Sequence, residues 1–161
     1  MRPRGVLAFT ASFVLASAVL AQGAGEAKAK PAAKPKSGAA PVFLPAADLK
    51  WVQMDPNVPG ITIASVWGDY TKGAWGAFIK FPAGFTAPLH THTSAIKFVV
   101  VSGTYLQTPD GKAEVRLDPG SYEYQPGGSY RHVTGCDKAS DCVIFAQSTG
   151  KFDLIPVEAK K

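Results

Sequence analysis

The sequence predicts an all-β fold in a single domain, a sandwich or barrel of short strands. Three observations lead there. Glycine and proline are plentiful, at 16 and 13 of 161 residues, while charged residues make up only 18%; that mix favours turns and short strands over long helices. Runs rich in Val, Ile, Phe, Tyr and Trp recur between turn signals at roughly 8–12-residue intervals, the spacing of sandwiches and barrels. No segment carries apolar residues at helical spacing over any length. A hydrophobic content of 46% excludes a disordered chain.

The first 21 residues read as a secretory signal peptide. Arg2 and Arg4 supply a positive start, Val6 to Ala21 is apolar, and Ala21 is a small residue at a plausible cleavage point. An uncleaved anchor fits less well, because the apolar run falls short of the roughly 20 residues that span a bilayer. Residues 22–41 are a low-complexity Ala/Lys/Pro linker without aromatic residues, which cannot bury enough surface to offset its chain entropy. The folded domain is expected over 42–161. It begins with a short helical turn near Pro45–Lys50. The clearest strands follow at Ile61–Trp67, Ala74–Phe81, Ile96–Val101, Glu114–Leu117, Ser121–Gln125 and Cys142–Gln147. Pro109, Asp110 and Gly111 form a strong turn signal between two of them.

The formal charge of +5 suggests an anionic partner until the charges are located. Arg2, Arg4, Lys28, Lys30, Lys34 and Lys36 all precede Val42, opposed only by Glu26. The domain itself carries equal numbers of acidic and basic residues. Nucleic acid is therefore not an expected partner, and an anionic surface would meet the linker.

All three histidines of the chain lie in the domain: His90, His92 and His132. On a strand, residues i and i+2 point to the same face roughly 6.7 Å apart, so two imidazoles at His-x-His spacing can converge on one metal ion. Around them the chain reads GFTAPLHTHTSAIKFVVVSG over 84–103 and GSYEYQPGGSYRH over 120–132. These stretches resemble the two signature motifs of the cupin superfamily. In the first, five residues separate a glycine from His-x-His, and a glutamate and a closing glycine follow. In the second, glycine, proline and glycine precede a histidine. The resemblance covers about Ile61 to Gln147 and implies a cupin-type double-stranded β-helix, a jelly-roll barrel. The segment WGDYTKGAWGAFIKFPAG over 67–84 also looks like a secreted cupin subfamily with no assigned function.

The sequence departs from the pattern where a metal would feel it most. The family's glutamate position is Ile96, and strand parity puts His90, His92, Ser94 and Ile96 on one face. Lys97 stands at the alternative spacing and points outward. Three residues, not two, separate Gly128 from His132, and Cys136 stands where the family often has Asn. Without the carboxylate, the resemblance implies at most a three-His face, suited to a divalent transition metal such as Fe, Zn, Mn, Ni or Cu. Its positive charge should favour an anionic or bidentate oxygen ligand.

Ile96, Phe98 and Val100 share the face of the pocket, and Tyr122, Tyr124 and Gln147 are candidates to flank it. Arg131 should face outward. Val99 and Val101 stand on the outer face beside Lys97, where a homodimer interface would place them. Cys136 and Cys142 are the only cysteines, and in a secreted or periplasmic chain they are expected to form a disulfide that staples a hairpin loop; the competing reading makes Cys136 a fourth metal ligand. Two functions remain open at this stage. One is a metal-dependent enzyme, an oxygenase, isomerase or hydrolase acting on a small molecule. The other is a metal-free binding or sensor module without turnover.

Overall fold

A computed structural model describes residues 40–158 of the chain. The signal peptide and almost all of the linker read from the sequence lie outside the described residues. A short 3-10 turn at Ala46–Asp48 opens the described part, where a helical turn was expected.

Among the described residues eleven strands form two antiparallel sheets. The first sheet contains β1 (Val52–Gln53), β2 (Thr62–Gly68), β3 (Trp75–Phe81), β5 (Ile96–Ser102), β8 (Tyr122–Gln125) and β10 (Cys142–Ser148), in the order β1-β2-β3-β10-β5-β8. The second contains β4 (His90–Thr91), β6 (Tyr105–Pro109), β7 (Val115–Leu117), β9 (His132–Cys136) and β11 (Ile155–Pro156), in the order β11-β4-β9-β6-β7. Consecutive strands repeatedly cross from one sheet to the other, which is the jelly-roll arrangement.

Alternation explains the first sheet. Along β5, Ile96, Phe98 and Val100 are buried, while Lys97, Val99 and Val101 are exposed. Along β3, Trp75, Ala77, Ile79 and Phe81 point into the core. β10 lies between these two strands and adds Ile144 and Ala146 to the same interior. Trp75 is the largest fully buried side chain, edge-on to Phe152 with ring centroids 6.2 Å apart. Removing a buried aromatic of this size costs roughly 3–5 kcal/mol.

The second sheet was less legible because its inward face is partly polar. β6 and β9 bury Gln107, His132 and Thr134 beside Tyr105 and Cys136. The Tyr105 hydroxyl donates to Thr134 Oγ1 at 3.2 Å, and Thr134 Oγ1 donates to Gln107 Oε1 at 3.4 Å. Buried polar groups persist only where they find such partners.

Cys136 ends β9, Cys142 begins β10, and the two form a disulfide across the intervening loop. Both sulfurs are thereby committed, so Cys136 is not a metal ligand. Closing so short a loop restricts the unfolded chain by roughly 2 kcal/mol. Replacing both cysteines by serine should therefore lower the free energy of urea unfolding by about 2 kcal/mol. A double variant with the parent's unfolding midpoint and slope would show that the staple contributes nothing.

Candidate metal centre and interior cavity

The histidines meet where the short strands of the second sheet pair. His90 in β4 lies directly opposite His132 in β9. His92 follows β4 and turns inward with His90. Ring centroids are 4.2 Å apart for His90 and His132, 4.9 Å for His90 and His92, and 5.2 Å for His92 and His132. His90 and His132 are essentially fully buried, and His92 is 6% exposed. One nitrogen from each lies within 4.8 Å of the other two.

Backbone carbonyls engage the Nδ1 atom of each ring. His90 Nδ1 lies 2.7 Å from the Pro88 oxygen, His132 Nδ1 lies 3.4 Å from the Tyr130 oxygen, and His92 Nδ1 contacts the Asp153 oxygen. A carbonyl oxygen only accepts, so each Nδ1 carries the proton and each Nε2 keeps its lone pair. This is the arrangement by which metal-binding imidazoles are oriented from behind. His132 Nε2 is buried and meets no hydrogen-bond partner among the described residues. Burial pushes all three imidazoles below their ordinary pKa. His132 falls furthest, to about 3, with His90 and His92 adding repulsion. The three side chains thus reach neutral pH uncharged, as ligation requires.

Neighbouring segments hold the histidines in place. Ile155 and Pro156 of β11 pair with Thr91 and His90, so this strand closes the outer side of β4. Asp153 Oδ1 accepts from the Thr93 amide at 2.8 Å. The Phe152 ring packs on His92 at 5.3 Å, and Tyr130 stacks on His132 at 4.9 Å. The Pro-Gly-Gly turn over 126–128 presses on the loop after His92. Gly128 N donates to the His92 oxygen at 2.8 Å, and a side chain at 127 would strike the Thr93 oxygen and the Ala95 nitrogen.

His90 and His92 lie on the wall of a cavity of about 330 Å³ between the sheets. Its body is apolar, with Ile96, Phe98, Ile144 and Phe152 among the lining, and Tyr105, Gln125 and Thr134 supply polar points. The exposed members of the lining are Asp55, Thr86, Pro88, Leu154 and Pro156, which places the mouth there. Asp55 is the one acidic side chain on this wall, and it is turned to the Asn57 amide at 2.8 Å. The glutamate position holds Ile96, buried and apolar.

Ile96 and Phe98 therefore face the cavity. Val100 lies deeper in the core and is not part of the lining. Tyr122, Tyr124 and Gln147 are elsewhere. They stand on the outer surface of the first sheet, with Tyr122 59% and Tyr124 53% exposed. β8 reads Tyr-Glu-Tyr-Gln, and its inward members are Glu123 and Gln125. Alternation separates the two faces of that strand but does not say which is inside. In sequence the tyrosines and Gln147 are candidate ligand-fixing groups on flanking strands, yet the side of β8 turned to Tyr105 carries Glu123 and Gln125. Arg131 forms an ion pair with Asp110 at 3.1 Å. Phe152, Asp153 and β11 carried no motif that could have flagged them.

The profile of a family described as a domain of unknown function, DUF4437, matches residues 18–158. The chain belongs to that family. Solved structures show that this chain has the cupin fold. The polyketide cyclase RemF from Streptomyces resistomycificus superposes with a TM-score of 0.62 at 14% identity, over 76% of this chain and 89% of that one. An RmlC-like cupin from Shewanella frigidimarina gives 0.54 at 15% identity, over 68% and 91%. The DMSP lyase DddQ from Ruegeria pomeroyi gives 0.56 at 16% identity, over 71% and 64%. No curated protein matches this DUF4437 chain in sequence. Likeness at these identities establishes the cupin fold, and the site has to be argued from its own residues.

Glu123 gives the interior a measurable pH signature. Burial pushes its carboxyl up to about 7, against the pull of the Gln125 side chain, and its Oε2 is buried without a partner. The unfolded chain releases this proton near pH 4.3, while the folded chain holds it to about 7. Stability from this group is full below the lower value and is lost as pH rises through the upper one. Glu123→Gln should be close to the parent at pH 5 and more stable than it at pH 8, read as the difference in urea midpoints. The depressed histidines act in the opposite sense, but equally in both proteins. A midpoint difference that stays constant from pH 5 to pH 8 would remove Glu123 as the cause.

Proposed function

We propose that this DUF4437 protein is a secreted, metal-binding cupin. In this reading Nε2 of His90, His92 and His132 hold one divalent transition metal, Fe, Zn, Mn, Ni or Cu, beside a pocket for a small organic anion. The observation that carries it is the clustering of the three imidazoles, each with Nδ1 engaged by a carbonyl and each offering one nitrogen within 4.8 Å of the other two. The orphaned His132 Nε2 supports it, since a buried nitrogen without a partner is costly unless something fills the position. A bound metal would supply Lewis acidity toward an oxygen of the ligand.

The chain's own residues shape what binds. Ile96 contributes no negative charge, so three neutral ligands leave the ion's charge uncompensated and select an anionic partner. The apolar wall takes the body of that molecule, while Gln125 and Thr134 offer hydrogen bonds. The fold neighbours named as a cyclase and a lyase support a small-molecule ligand. Turnover would make the protein a metal-dependent oxygenase, isomerase or hydrolase. Secretion or periplasmic export rests on the N-terminal sequence and agrees with the disulfide.

The missing carboxylate favours a second reading, a metal-free binding module. Elemental analysis separates the two. Protein purified without added metal should carry close to one equivalent, and His90→Ala and His132→Ala should each retain less than about a tenth of it. Equal content in all three proteins would leave the metal-free reading standing.

Ile96→Glu tests the charge argument separately. Restoring a carboxylate should raise zinc affinity and weaken oxalate binding to the zinc-loaded protein by about tenfold or more. Undiminished oxalate binding in a folded, zinc-loaded variant would show that the vacant charge does not select the ligand.

A further inference from the structure

The outer surface of the first sheet carries a second cleft, of about 560 Å³, lined on that side by Trp67, Lys97, Tyr122, Tyr124, Gln147 and Thr149. The strand register puts most of these residues on one line. Tyr124 pairs with Lys97, Lys97 with Gln147, Gln147 with Gly76, and Gly76 with Trp67, across β8, β5, β10, β3 and β2. The Trp67 indole does not stand up from its own strand. It lies over the neighbouring strand at Gly76, where any side chain would collide with its Nε1 and Cε2 atoms. Gly76 has no positive φ to explain a glycine in mid-strand, so the close approach of the ring is its reason. Trp67 remains 44% exposed and lines the cleft.

The result is a platform with an aromatic residue at each end and a polar floor between them. Tyr124 and the strand beneath the Trp67 ring are three strand spacings apart, roughly 14 Å. Lys97 and Gln147 occupy the floor between them, and no carboxylate among the described residues pairs with Lys97. The chemistry is specific in what it suits. A sugar ring has an apolar C–H face that packs on an aromatic ring and a rim of hydroxyls that an amide satisfies. A lysine ammonium adds preference for a negative group. One cation is too few for a nucleic-acid backbone, and the polar floor is wrong for a lipid chain.

We propose that this cleft binds a short acidic oligosaccharide, with Trp67 and Tyr124 stacking on its rings and Lys97 pairing with its carboxylate. The site is independent of the histidine pocket, which lies on the other side of the sheet.

Calorimetric titration of the full chain with trigalacturonate, with cellotriose as the neutral comparison, tests it. Trigalacturonate should bind saturably and weaken as salt is added. Trp67→Ala and Tyr124→Ala should each lose about tenfold in affinity, and Lys97→Gln should remove the preference over cellotriose. Tyr124 is exposed on the end strand of the sheet, so its variant serves even where Trp67→Ala does not fold. His132→Ala should bind trigalacturonate as the parent does. The proposal is overturned if trigalacturonate gives no binding, if Tyr124→Ala binds it unchanged, if His132→Ala loses it, or if the chain forms a stable dimer whose formation Tyr124→Ala abolishes.

Discussion

Three hydrogen bonds from imidazole Nδ1 atoms to backbone carbonyls are the constraint on which the interior depends. They cost the protein no side chain, because the acceptors belong to Pro88, Tyr130 and Asp153 as backbone groups. They do require the main chain to arrive at three places with its carbonyls turned the right way. The short β4–β9 pairing, the strand β11 laid beside β4 and the turn over 126–128 achieve this. The long strands β3, β10 and β5 form the rigid wall opposite. Orientation by backbone is less easily lost to mutation than orientation by a carboxylate, since no single substitution deletes a carbonyl.

The same sheet architecture presents two unlike surfaces. Inside, Ile96 and Phe98 give an apolar wall with few polar points. Outside, the alternate residues of the same strands present Lys97, Gln147 and two tyrosines. A one-residue slip of β5 would exchange the two, and the register is held against that by the burial of Ile96, Phe98 and Val100. The polar members of the interior carry the opposite cost. Glu123 and His132 each bury an atom without a partner, and such sites are where function and stability part company.

Much of this was legible in the residues. The His-x-His spacing, the distant His132 and the glycines and proline around them marked both the site and the fold. The parity of β5 located Ile96 and Phe98 on the cavity side. The rest was hidden for identifiable reasons. β6 and β9 place Gln107, Thr134 and His132 inward, so their alternation does not read as apolar against polar. β8 alternates plainly but with aromatic residues on the wet face, and the sense of its alternation is set by Tyr105 and Thr134 opposite, which local sequence does not see. The contacts of Phe152 and Asp153 with the site reach across about sixty residues and use a ring and a carbonyl, neither of which has a spacing rule. Trp67 was readable as an aromatic residue, but its place over Gly76 depends on a cross-strand register.

The dependence of His92 on Asp153 has a temporal side. As the chain emerges from its N-terminal end, all three histidines are present well before the segment that orients His92 and closes β4. An incomplete or unfolded chain therefore holds imidazoles that are free to take either tautomer and to point anywhere, and it binds metal no better than any loose histidine peptide. The oriented set of three imidazoles exists only when the strap from Phe152 to Pro156 is in place. Under the proposed function, the metal would therefore be taken from the compartment in which the chain finishes folding, and the ion bound there would record that compartment's metal supply.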